Sequence, residues 1–324
     1  MLLALNLLNF IYYSNHMIKW RQCTSHFLMI KPVNFSFNDE TAQSNVFQNR
    51  SELPENKLKK IILNEFNEAI EIIKKEGVAV DLIDPLLMND IPDQVFLNNW
   101  FQVTHDGKLI LFPMASIKRR KERLLYIIDY IQNNYHINEL IDLTHNEKKD
   151  LFLEGTGSVV LDHNSRTAYA VHSPRTSEKI FKKYCKIIGY KDILFNAYDI
   201  NGVPVYHTNV LMSIGPGFSV ICLDLIPDIE RERVCSSLIA NKLEIIEIEY
   251  TQVERFCGNI LTLLSENGKY LVVMSERAKK AFSKEQLRVI SKYAKIISVP
   301  IEYIENVGGG GIRCMMAEIF SPHT

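Results

Sequence analysis

No two of the six cysteines (Cys23, Cys185, Cys222, Cys235, Cys257, Cys314) stand in a CxxC pair or at metal-finger spacing. That absence excludes a zinc finger and a dense disulfide framework, and it suits free thiols in a reducing compartment. A basic tail or face is also missing. The formal net charge is −1 with the signs interspersed, so a nucleic-acid partner has no support. The apolar stretch from Leu2 to Tyr13 has no Lys or Arg before it and no small-residue cleavage site before Asn15-His16-Met17. It is too short to span a bilayer. The expectation is a cytoplasmic protein with no membrane partner. Residues 1–20 would be an N-terminal extension, either disordered, packed on as a helix, or derived from a start codon upstream of Met17. His105, His145, His163 and His172 have no spacing that gathers three metal ligands. Gly155-x-Gly157 runs into a strand rather than a helix, so it is no dinucleotide loop. No cofactor and no metal are expected.

What is present is a full core's worth of apolar residues, 47% of 324, and a repeating pattern. Pro54 to Glu76 carries apolar residues at helical spacing, and Val78 to Ile83 reads as a strand. Asp93 to Phe101 enters a hairpin that turns at His105-Asp106-Gly107-Lys108. Lys118 to Asn133 reads as one helix. Similar hairpins follow Glu154-Gly155-Thr156-Gly157-Ser158, His207-Thr208-Asn209 and Cys257-Gly258-Asn259, with helices read from Ser177, from Ile226 to Ala240 and from Ser283 to Tyr293. Val210 to Met212 and Met315 to Phe320 read as strands. A polar cluster thus recurs near residues 98, 155, 207, 257 and 311, a period of roughly 50–57 residues that points to a propeller or solenoid. The expected fold is α/β: five pseudo-symmetric units around an axis, one domain over 21–324. The strand near Cys23 to Ile30 would complete a blade and close the ring.

If the units surround an axis, their polar clusters meet. The centre would hold Asn98, Asn99, Glu154, His207, Asn209, Cys257, Asn259 and Cys314. Cys314 follows four glycines and Arg313, so a cation stands beside a thiol in a loop free of side chains, which should lower the thiol's pKa. Taken alone, Cys314 reads first as a small buried core residue, the usual fate of cysteine. With His207 as acid/base and Glu154 as orienting group or substrate contact, the set matches covalent catalysis at an sp² carbon.

The pieces Asp93-x-Val95-Phe96-x-Asn98-Asn99, Glu154-Gly155-Thr156-Gly157, Ser173-Pro174-Arg175-Thr176, His207-Thr208-Asn209 and Gly308 to Cys314 together resemble the pentein, or guanidine-modifying, superfamily. The resemblance runs from about Thr24 to Phe320 and is strongest for the citrulline-utilisation, amidinotransferase-like branch. It implies a five-bladed α/β propeller with Cys314, His207 and Glu154 as the catalytic set. It further implies substrate contacts from Asp93, Asn98, Asn99 and Asn209, with Arg175 and Arg119 on the substrate carboxylate. Arginine deiminases of that superfamily place aspartates where this chain has Asn99 and Asn209. Two amides remove negative charge but keep donors and acceptors, which suits a neutral ureido group. The implied activity is hydrolysis of a guanidino or ureido C–N bond, with citrulline, arginine or a methylated arginine as small-molecule substrate. An amidinotransferase, a dimethylarginine hydrolase and a non-enzymatic binding protein are the alternatives. Self-association into a homodimer is left open.

Overall fold

Every antiparallel hairpin of this chain is extended by a third, parallel strand that arrives through a helix. The computed structural model describes residues 20–42, 44–86 and 90–320. The expectations for residues 1–16 lie outside this set. Strands β3 (Phe101–Val103) and β4 (Lys108–Leu111) pair antiparallel, and β5 (Glu139–Asp142) adds parallel to β4. The same order holds for β6 (Val159–Asp162), β7 (Thr167–Val171) and β8 (Lys191–Phe195). It holds again for β9 (Met212–Gly215), β10 (Phe218–Ile221) and β11 (Glu244–Glu247), and for β12 (Leu261–Leu264), β13 (Tyr270–Ser275) and β14 (Lys295–Val299). The remaining sheet is built from both ends of the chain. Strand β15 (Ala317–Glu318) pairs antiparallel with β1 (His26–Ile30), and β2 (Ala79–Ile83) adds parallel to β1. The strand read from Cys23 to Ile30 therefore completes a C-terminal sheet.

The crossover helices are α1 (Glu55–Lys75), α2 (Leu125–Asn134), α3 (Glu178–Ile188), α4 (Asp228–Ala240) and α5 (Lys284–Ser291). A parallel neighbour requires such a crossover. Each helix presents one apolar stripe to its sheet. In α1 the stripe is Ile62, Phe66, Ala69, Ile70 and Ile73, all buried. Burying each large side chain contributes about 1.5–3 kcal/mol, so packing rather than helix propensity holds α1 in place.

Short turns lead into the inner strands. Leu97–Asn99 precedes β3, Gly155–Ser158 precedes β6, Thr208–Leu211 precedes β9 and Ile312–Met315 precedes β15. These turns pack on one another: Gly155–Ser158 touches both Leu97–Asn99 and Thr208–Leu211, and Ile312–Met315 touches Leu97–Asn99. The polar clusters of the repeat therefore do meet.

Three readings need correction. Lys118 to Asn133 is two helices, Ile117–Arg120 and α2, because Arg119 and Glu122 both turn inward and are buried. Val210 to Leu211 is helical, and the strand starts at Met212. Met315 likewise ends a helical turn, and only Ala317 and Glu318 form a strand.

Candidate active site

The turn Ile312–Met315 buries the thiol of Cys314. Asn259 Nδ2 lies 3.4 Å from its sulfur and Asn209 Nδ2 lies 3.6 Å away. The glycines before it are not slack. Only Gly309 needs the left-handed region, at φ +63°. A Cβ on Gly308 or Gly310 would stand 2.6 or 2.9 Å from the Phe96 ring. The loop is also pinned: Tyr206 donates its hydroxyl to the Gly309 carbonyl at 3.0 Å, and Asn45 donates its amide there at 3.2 Å. The loop free of side chains is held closely against aromatic and amide groups.

His207 and Cys314 line one cavity with Asp93, Asn99, Arg119, Arg175 and Tyr206, about 280 Å³ of empty space counting its mouth. Behind the histidine, Glu154 is fully buried. Its Oε2 accepts from His207 Nε2 at 2.8 Å, and Arg175 Nη1 stands 3.5 Å from the same oxygen. Its Oε1 accepts from the Ala115 backbone N–H at 2.9 Å. Both carboxyl oxygens are thus occupied, and Glu154 orients the imidazole rather than facing the cavity. With Nε2–H donated to Glu154, Nδ1 is left as the proton acceptor.

Burial raises the Glu154 carboxyl, but Arg175, the bond from His207 and Arg119 outweigh it and hold it well below the usual carboxylate range. Burial pulls His207 down to about 4 against the pull of Glu154, so the ring is neutral at pH 7. Burial also pushes the Cys314 thiol up, more than Asn259, Arg313, Asn209 and the Gly311 backbone lower it. Arg313 does lower the thiol as expected, but the net shift is upward. Arg313 is buried and donates to Glu318 at 2.7 Å and to the Met316 carbonyl. The resting pair is a neutral thiol and a neutral imidazole.

The substrate-facing set differs in part from the expected one. Asp93 is buried and bonded on Oδ2 by Asn38 and Thr41, while its Oδ1 has no partner. Asn99 accepts from Arg119 Nη1 at 2.7 Å, and its Nδ2 is unpartnered. Asn98, one residue earlier, turns away and donates to Thr156 at 3.2 Å, so it braces a turn. Asn209 meets the sulfur but borders a different cavity, with Ser213 and Arg313. Arg175 is shared among Glu154, Ser44 and the Thr41 carbonyl and lies over the Tyr206 ring at 4.7 Å. Arg119 forms a two-pronged pair with Glu122, at 2.9 and 3.0 Å, so its fork already holds a carboxylate of this chain. Cys257 is a core thiol beside the Ala278 carbonyl, and burial pushes it up to about 12. Sequence reading missed Thr41, Asn45, Tyr206 and Glu122. The segment around Thr41 and Asn45 carries no repeat signature, and its role follows only from where it lies.

The sequence model of the family described as N,N dimethylarginine dimethylhydrolase, eukaryotic, matches residues 31–321. The chain belongs to that family, within the pentein superfamily. No curated protein sequence matches it. Among solved structures, the pentein chain resembles ArgZ in its apo form, an arginine dihydrolase from the ornithine-ammonia cycle in cyanobacteria. The identity is 16% and the TM-score 0.72, over 92% of this chain and 41% of that one. This pentein thus spans about two fifths of full-length ArgZ. The N-terminal domain of ArgZ bound to substrate is 17% identical with a TM-score of 0.72, over 92% of this chain and 98% of that one. A dimethylarginine dimethylaminohydrolase adduct with 4-chloro-2-hydroxymethylpyridine is 14% identical with a TM-score of 0.63, over 91% and 99%. At these identities the likeness is one of fold. Among the described residues no helix is long and apolar enough to cross a membrane.

Proposed function

We propose that this chain is a cysteine-dependent hydrolase acting on the guanidino or ureido carbon of arginine, citrulline or a methylated arginine. The five sheets stand as blades around a hub, and the reaction runs in the hub cavity. One observation carries the reading: the Cys314 thiol and the His207 ring face a buried cavity in which Asp93 Oδ1 and Asn99 Nδ2 lack partners. Unpaired buried polar atoms of both kinds call for a polar ligand with donors and acceptors. Asp93 also supplies a substrate-facing carboxylate, so the cavity does not depend on Glu154 for negative charge.

A guanidinium entering the cavity brings positive charge next to the thiol and favours the thiolate. The thiol proton passes to His207 Nδ1. The thiolate attacks the central carbon, a C–S bond forms, and the C–N bond breaks as His207 returns the proton to the departing amine. Water, deprotonated by His207, then attacks the thio-intermediate and the C–S bond breaks. Arginine plus water gives citrulline and ammonia. The free amide of Asn99 accepts a neutral ureido group as readily, so a further hydrolysis takes citrulline to ornithine, carbon dioxide and ammonia. Proton transfer of this kind contributes about 10²–10⁴-fold.

The family match favours a second reading, a dimethylarginine substrate that releases dimethylamine. Separate incubations with arginine, citrulline and dimethylarginine, with products identified by mass, test both. Ornithine from citrulline supports the first reading, and dimethylamine release supports the second. No turnover of any of the three rejects the hydrolase.

A further inference from the structure

A second cavity lies beside the helix Glu302–Gly308, and none of its lining residues lines the hub cavity. It spans about 880 Å³ of empty space counting its mouth and is lined by Glu65, Glu305, Arg255, Arg277 and Lys280 among others. Glu305 is fully buried, and neither of its carboxyl oxygens receives a hydrogen bond. Arg277 Nε stands 3.6 Å from Oε2, beyond bonding range, and the same guanidinium is held by Asn306 at 2.6 Å. The hydroxyl of Ser275 beside it accepts the Ala278 N–H of the next helix and lowers the carboxyl less than burial raises it. A buried carboxyl left without donors is a costly arrangement, and a ligand N–H group would relieve it. Burial holds Glu305 up at about 8, the direction expected when nearby cations fail to compensate.

The rim carries both signs, Glu276 and Glu302 beside Arg255 and Lys280. Arg255 is exposed and pairs with no carboxylate among the described residues. Lys280, also at the rim, has only a loose contact with Glu276 at 3.5 Å. A buried acid that Arg277 approaches only at 3.6 Å and that lacks hydrogen-bond donors, together with Arg255 and Lys280 in the same lining, offers both charges a zwitterion needs.

We propose that this cavity is a second binding site, for a zwitterionic α-amino acid. The ligand's ammonium donates to the two free oxygens of Glu305, and its carboxylate meets Arg255 and Lys280. No covalent step is involved. The site stands on its own residues and shares none with the hub cavity.

Equilibrium dialysis of radiolabelled L-arginine and L-ornithine against the full chain tests it. The Cys314→Ala variant is used so that nothing is turned over. With a hub site as well, two equivalents bind, and adding Glu305→Gln reduces the count to one. If the hub binds neither amino acid, the count starts at one and Glu305→Gln takes it to zero, which still supports the cavity. Arg255→Glu, a surface change that leaves the buried acid in place, should weaken the same equivalent at least tenfold. An unchanged count and affinity in both variants overturns the proposal, as does the absence of any binding that responds to either change.

Discussion

His207 Nε2 lies 2.8 Å from Glu154 Oε2, and Arg175 Nη1 approaches the same oxygen at 3.5 Å. A single buried carboxylate thus orients the ring and balances a guanidinium, although burial alone would favour its neutral form. This one group fixes which ring nitrogen carries the proton.

Glu154→Gln keeps the shape but removes the charge that outweighs burial. Glutamine offers one amide oxygen to two donors, His207 Nε2–H and the Ala115 N–H, and Arg175 is left uncompensated in a buried site. On the proposed reading kcat should fall by about 10²-fold or more while KM changes less. Steady-state assays of the variant check this, and a KM-only effect would place Glu154 in binding instead.

The raised Cys314 thiol sets a pH dependence for the free enzyme. The thiolate fraction climbs about tenfold per pH unit below the pKa, and an ordinary thiol levels off near ~8.5. Iodoacetamide labelling of Cys314, followed by mass spectrometry without substrate, should keep rising past pH 8.5. A plateau near pH 7 would mean a thiolate at rest and would contradict the burial argument.

Gly157 has no room for a methyl group. A Cβ there would stand 2.3 Å from Asn99 Nδ2 and 2.9 Å from the His207 ring. Gly157→Ala should lose about 1–3 kcal/mol of stability to overpacking. It should also lose roughly 10²-fold in turnover, since displacing the imidazole by an ångström is enough. Thermal melts and rate measurements on the same preparation separate the two effects.

Glu305 gives a stability signature in the absence of ligand. Its folded-state pKa, about 8, lies above the unfolded carboxyl value: burial raises it most, the Ser275 hydroxyl and Arg277 lower it, and Glu65 and Glu302 raise it further. The folded chain then binds more protons than the unfolded chain. The contribution of this group is present below about pH 4.5 and is lost as pH rises through about 8. Glu305→Gln should therefore melt at a higher temperature than the parent at pH 9, with the gap closing toward pH 5. An equal or wider gap at pH 5 would show the acid to be compensated in the fold.

Much of the fold was legible because its signals are local. The hairpin turn at His105–Lys108 and strands β6 and β7 stand where alternation and turn residues put them. The third strands were harder. β8 reads Lys-Asp-Ile-Leu-Phe with an exposed polar start, and β11 reads Glu-Ile-Ile-Glu between two glutamates, so neither shows a clean alternation. Their identity comes from a parallel partner far away in sequence, which no window contains. The helix read through Lys118 to Asn133 failed for a related reason, since its apolar spacing is real but Arg119 and Glu122 are recruited inward.

The sequence by itself determined which chemical groups would come together, because the hairpins repeat at a fixed interval and each opens with a polar cluster. Only the tertiary structure decided how those groups are used. Asn98 and Asn99 are neighbours in one tight turn, yet one braces Thr156 and the other faces the cavity, since successive residues of a helical turn point in different directions. The protonation of Cys314 was settled the same way. An adjacent arginine is visible in the sequence, but desolvation is the sum of everything packed around the sulfur, and it opposes the charge and exceeds it.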